Sequence, residues 1–205
     1  APAARASHFA GTEHGLGVWP PTSEKLAAAA PSEPSENSQN LRNTIDYAPL
    51  LRACLVNMDR WVTEAVEPPP SRHPRFADRT LVRAQDLAFP AIPGVQSPRG
   101  IPPGRRASNA LLPSSGGEGA VQPLLVSQVD ADGNEVAGIR LPEVAVPLAT
   151  YTGWNFRNKE IGGAGRLIGN TGSYIPLART KAEREARNDP RRSIDPRLAG
   201  VALSA

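Results

Sequence analysis

The chain has 205 residues, 22 of them Pro and 18 Gly, with 40% hydrophobic residues and three Trp. Gly and Pro together make about a fifth of it, against ~12% in ordinary soluble proteins, so many turns are expected, yet the apolar content is too high for a disordered polymer. The 23 basic and 20 acidic residues leave a formal charge of +3 with no long basic tract, which argues against nucleic acid as a partner, and the single cysteine, Cys54, excludes an internal disulfide framework or a multi-cysteine zinc site.

No stretch reaches the ~18 consecutive apolar residues that a membrane-spanning helix needs, and no charged segment precedes an apolar one as in a targeting signal. No membrane contact is expected, and composition assigns no compartment.

Residues 5–10 (Arg-Ala-Ser-His-Phe-Ala) alternate partly in polarity and stop at Gly11, which predicts a brief strand ending in a loop. Residues 15–45, with Trp19-Pro20-Pro21, an Ala-rich patch at 27–30 and a polar run from Pro31 to Asn43, read as a long surface excursion.

The clearest element follows. Tyr47, Leu50, Leu51, Cys54, Leu55, Met58, Trp61, Val62 and Ala65 keep to one face of an α-helix over about 47–66. Asp46 can accept from its first amides, Pro49 falls in the first turn where a missing N–H costs least, and Pro68-Pro69-Pro70 stops it. An apolar stripe on an otherwise polar helix has to pack on something, most simply a sheet, and little else in the chain could supply one.

Residues 71–120 show no sustained period and are expected to form an extended strap. Beyond them, Val121–Val129 and Glu135–Leu141 are β-prone runs around Asp130-Ala131-Asp132-Gly133-Asn134, which predicts a β-hairpin at about 121–142. A further strand interrupted by Pro147 is expected between Val144 and Trp154. Residues 180–188 read as a short solvated helix with Thr180 as N-cap, Glu183 completing a capping box, and Pro190 ending it.

The same residues bound the chemistry. Asp130, Asp132, Asn134 and Glu135 superficially suggest a calcium loop, but Gly133 comes fourth and the twelfth residue is Leu141, where an EF-hand needs Gly sixth and Glu twelfth; a solvated turn is expected. Residues 162–169 carry neither Rossmann nor P-loop spacing and read as a flexible loop. The basic cluster Arg179, Lys181, Arg184, Arg187, Arg191 and Arg192 is interleaved with Glu183, Glu185 and Asp189 and reads as a solvated face. Cys54 is expected as a small buried hydrophobe. No cofactor and no metal set is indicated.

Three histidines remain. His73 is expected at the surface and His8 in a core or supporting role. His14 lies in the turn Gly11-Thr12-Glu13-His14-Gly15 just past a strand, where α/β folds hold catalytic groups, and is a candidate general base.

Several segments together resemble one family. Ser7–Gly15, Asp46–Pro70, Val129–Pro142, Thr150–Asn155 and Gly172–Arg191 are similar to the C-terminal part of the bacterial "alpha/beta hydrolase domain" proteins. The likeness covers most of the chain and weakens from about Ser193-Ile194-Asp195-Pro196 onward. In α/β-hydrolases the triad order along the chain is Ser, then Asp or Glu, then His after the last strand. The resemblance therefore implies an α/β fold in which residues 5–10 are the last strand of the core, His14 is the triad histidine and the helix at 47–66 packs back on a sheet lying upstream. Residues 1–70 would form the C-terminal end of that core and 71–205 a Pro/Gly-rich, loop-rich extension.

The nucleophile elbow Gly-x-Ser-x-Gly is absent, and the nearest cluster, Gly169-Asn170-Thr171-Gly172-Ser173, lacks the spacing and follows His14. The expected function is accordingly the C-terminal portion of an esterase-like serine hydrolase, inactive by itself, whose small-molecule ester is held jointly with an N-terminal half. The alternative is a self-contained noncatalytic interaction module, which would bury the 47–66 stripe within its own chain.

Overall fold

A computed structural model describes residues 4–21, 38–101, 104–105, 121–163 and 165–194. The Ala-rich patch at 27–30, the strap from 106 to 120 and the tail from 195 lie outside the described residues.

The centre is a three-stranded antiparallel sheet ordered β1 (Leu41–Arg42), β7 (Ser173–Pro176), β6 (Ala149–Thr152). Its register sets Tyr174 opposite both Leu41 and Tyr151. Strand alternation then divides the core. Tyr151 and Tyr174 stack edge-on at 5.5 Å on one face with Ala10, Ile45, Val144 and Ala149, while Ile175 meets Leu87, Phe89 and Ile92 on the other. Two further antiparallel pairs, β2 (Leu81–Arg83) with β5 (Leu125–Ser127) and β3 (Gly104–Arg105) with β4 (Val121–Gln122), complete the strands among the described residues.

Three asparagines close the backbone where strands run out. Asn134 donates to Ala149 O and accepts from Tyr151 N, doing for the outer edge of β6 what a fourth strand would do. Asn43 bridges Gly11 O, Thr152 O and Ile45 N, and Asn155 joins Asn40 to Gly172. All three are buried. Their burial is tolerated because each amide finds partners at hydrogen-bonding distance.

Helix α1 (Ala48–Glu64) forms where the periodicity placed it. Asp46 Oδ1 accepts from Ala48 N at 2.9 Å, Pro49 lies in the first turn, and Ala65 ends the helix with φ 57°. One side of it rests on the N-terminal segment: Tyr47 meets the Phe9 ring at 6.0 Å and the Arg5 guanidinium lies 5.3 Å over Trp61. The neighbouring stripe is uncovered among the described residues, with Leu51 46%, Leu55 60%, Met58 55% and Val62 80% exposed. Cys54 is half-buried and unpaired, short of the full burial expected. Helix α3 (Lys181–Ala186) is capped by Thr180, whose Oγ1 accepts from Glu183 N, and Glu183 reaches back one residue further than a capping box requires, to Arg179 N.

Several expectations are corrected. The segment 5–10 makes two isolated parallel bridges, Ser7 to Arg72 and Phe9 to Ile139, rather than a continuous strand. The described end of the 15–45 excursion is interior, since it supplies β1, Asn43 and Ile45. The turn at 130–134 is present and closed by the bridge Val129–Glu135, but its arms part at once, with 125–127 pairing β2 and Ile139 bridging Phe9. Asp130 organises this turn locally by accepting from the amides of Asp132 and Asn134, and such a side-chain-closed turn needs no ladder beyond it. It is also not solvated, because Asp132 and Asn134 are buried and Arg192 pairs with Asp132. Between Val144 and Trp154 the chain first makes helix α2 (Pro142–Ala145) and only then β6. Proline at the first helical position, with its φ preset, favours that turn over an extended start.

The basic cluster divides as well. Arg191 is 2% exposed. Its guanidinium grips both oxygens of Asp189 and donates to Thr150 Oγ1, Ile175 O and Pro176 O. Burial by itself would raise the Asp189 carboxyl, but the hydrogen bonds and charge of Arg191 outweigh it and hold the group below the usual carboxylate range.

Candidate active site

The turn after residue 10 is built around a buried carboxylate. Gly11 reverses the chain with φ +69°, a value that favours glycine. Glu13 then points inward, its side chain fully buried, accepting from Arg42 Nε at 2.8 Å and Gly172 N at 2.6 Å. Gly172 allows this approach, since a Cβ there would lie 2.2 Å from Thr152 O.

With Glu13 held inside, His14 stands outward. Its carbonyl accepts from Tyr47 OH at 2.6 Å, tying the loop to the start of α1, and its amide reaches Asn170 O at 3.4 Å. Among the described residues the imidazole itself makes no hydrogen bond. It borders an open groove of about 330 Å³ shared with Thr12, Gly153, Trp154 and Asn170. The backbone is thus fixed while the ring stays available.

His8 has a different setting. Its Nε2 lies 2.7 Å from Glu135 Oε2, which also accepts from Gly11 N at 2.9 Å, and 3.4 Å from Ser127 Oγ. The hydrogen bond to Glu135 is the main cause that raises the imidazole pKa above its ordinary value; burial opposes it and the carboxylate charge adds to it. Gly138 permits this packing: with φ +91°, a Cβ on it would come within 2.5 Å of His8 O. Ser, His and Glu together invite comparison with a triad, but both contacts fall on one ring nitrogen. A relay needs the base to take the serine proton on one nitrogen while the acid holds the other.

The three histidines therefore stay apart in role. His73 is exposed, with Nδ1 3.0 Å from Pro74 O. Ser173 is buried and its hydroxyl donates to Trp154 O, so it is no nucleophile. Asp130 is paired with Arg140, and among the described residues no group of three or more His, Cys, Asp or Glu could hold a metal ion. Sequence reasoning missed Glu13 as the anchor of the His14 loop and Glu135 as the partner of His8. Glu13 carried a signal, a charged residue between two glycine turns, whereas Glu135 reaches His8 across 127 positions and carried none.

No curated protein and no solved structure shows significant similarity to the chain. A family model described as alpha/beta hydrolase domain matches residues 2–185, a span that includes the His14 turn, α1 and the central sheet. The chain belongs to the alpha/beta hydrolase domain family.

Proposed function

We propose that the chain is the C-terminal portion of a serine hydrolase acting on a carboxylic ester, with His14 as the triad histidine. The observation that carries this reading is the His14 loop: a backbone pinned by Glu13 and Tyr47 that presents an imidazole free of hydrogen bonds among the described residues to an open groove. In the chain order Ser, acid, His, both partners of that imidazole would precede it, and because no Gly-x-Ser-x-Gly stands before His14 in this chain the reading takes nucleophile and acid from residues before Ala1. The apolar stripe Leu51, Leu55, Met58 and Val62 supports the same arrangement, because covering the roughly half or more of each side chain that is exposed is worth on the order of 1 kcal/mol each and the core sheet of a hydrolase would cover them. The interaction-module alternative needs that stripe buried within this chain and has less support.

In this reading residues 1–70 end the hydrolase core and 71–205 are its extension, folded against it through Ser7–Arg72, Phe9–Ile139 and the β1–β7 pairing. His14 takes the serine proton as the oxygen bonds to the ester carbonyl carbon. It returns that proton to the leaving alkoxide as the carbon–oxygen bond breaks, and water then releases the acid by the same two transfers. Alone, the 205-residue chain is expected to hydrolyse p-nitrophenyl acetate no faster than buffer, and joined to its N-terminal half it should gain activity. Turnover by the isolated chain that His14→Ala abolishes would instead place the whole machinery within these residues.

A further inference from the structure

Behind Trp154 the structure holds a second cavity, of about 380 Å³, which shares Gly153 and Trp154 with the His14 groove. Its volume falls within the ~300–1,000 Å³ of small-molecule sites. Leu87, Phe89, Val126 and Trp154 form apolar walls, with the Phe89 and Trp154 rings edge-on at 5.2 Å. His8, Ser127 and Glu135 share its lining, with His8 Nε2 within hydrogen-bonding reach of both Glu135 Oε2 and Ser127 Oγ.

That polar group has a definite electrostatic character. At pH 6, below the raised imidazole pKa, the His8 charge is offset by the Glu135 carboxylate 2.7 Å away, so neither an anion nor a cation finds an unpaired opposite charge in the pair. A hydroxyl can use what remains: it can accept from Ser127 Oγ and donate to Glu135 Oε1, an oxygen with no hydrogen bond among the described residues. We propose that this cavity binds a neutral alcohol with a compact apolar body, about the size of benzyl alcohol. The binding does not rest on the hydrolase reading.

The test is a titration of the 205-residue chain at pH 6 with benzyl alcohol, benzoate and benzylammonium, followed by ligand-observed NMR. Benzyl alcohol should bind saturably with a dissociation constant on the order of millimolar, as suits so small a ligand. The two ions should bind at least about tenfold more weakly, and Ser127→Ala should weaken the alcohol by about tenfold, the value of one hydrogen bond. Glu135→Gln should narrow the gap between benzoate and the alcohol, because it leaves the charge of His8 unbalanced; a merely structural Glu135 would not shift that preference. Circular dichroism confirms that each variant folds. Absence of saturation, equal binding of either ion, an unaffected Ser127→Ala or an unshifted preference in Glu135→Gln would overturn the proposal. Such a result leaves the assignment of His14 untouched, just as a failed His14 test leaves this binding untouched.

Discussion

Replacing His14 by Ala, in the polypeptide that also carries the nucleophile, is expected to lower kcat for ester hydrolysis by on the order of 10³ or more. The size follows from the way triad members act as a unit: without the base the serine hydroxyl stays protonated, and the leaving alkoxide finds no positioned acid. Nothing in the described fold should compensate, because His8 is committed to Glu135 and His73 stands elsewhere on the surface. Stability should change little, since the ring makes no hydrogen bond among the described residues and the loop is held by Glu13 and by the His14 carbonyl. His73→Ala serves as the control with normal turnover. Steady-state kinetics with circular dichroism on both variants checks this, and near-normal kcat in His14→Ala would show that the resemblance speaks only to fold.

The largest structural effect is expected at Arg191. Its guanidinium is buried, bidentate on Asp189, and donates to Thr150 and to two carbonyls at the end of β7. Arg191→Met keeps much of the side-chain bulk but strands the Asp189 carboxylate and the carbonyls without donors. Breaking a buried pair by removing one partner costs about 3–5 kcal/mol, whereas Lys181→Ala, which removes an exposed pair with Glu185, should cost under ~1 kcal/mol. Urea unfolding of both variants measures the difference. A loss in Arg191→Met as small as that in Lys181→Ala would mean that the cluster is a solvated face after all.

These two residues mark where the sequence was readable and where it was not. The 3.6-residue period of α1 and the Thr180 cap of α3 are local signals and were legible to within two residues. His14 was legible as a loop residue next to glycine turns, and the triad role proposed for it came from the family resemblance rather than from spacing. The central sheet was not legible, because β1 has two residues and pairs with β7 some 130 positions away, too short and too distant for alternation to register. Asn43, Asn134 and Arg191 read as loop and surface residues by composition, and Asn155 carried no structural signal. They are interior because short strands leave carbonyls and amides that only polar side chains can satisfy. The 130–134 turn was correct and its arms were not, since Asp130 closes the turn alone and the partners of the arms are chosen by distant segments.

The central claim is that His14 activates a serine lying outside these 205 residues. A fluorophosphonate probe tests it most directly, because it reacts only with a serine whose proton a positioned base removes. The account predicts that, in the polypeptide joined to its N-terminal half, mass spectrometry finds one adduct on a serine preceding Ala1, and that His14→Ala abolishes it. An adduct on Ser127, Ser173 or any other serine of the chain, or labelling that persists undiminished in His14→Ala, would contradict it.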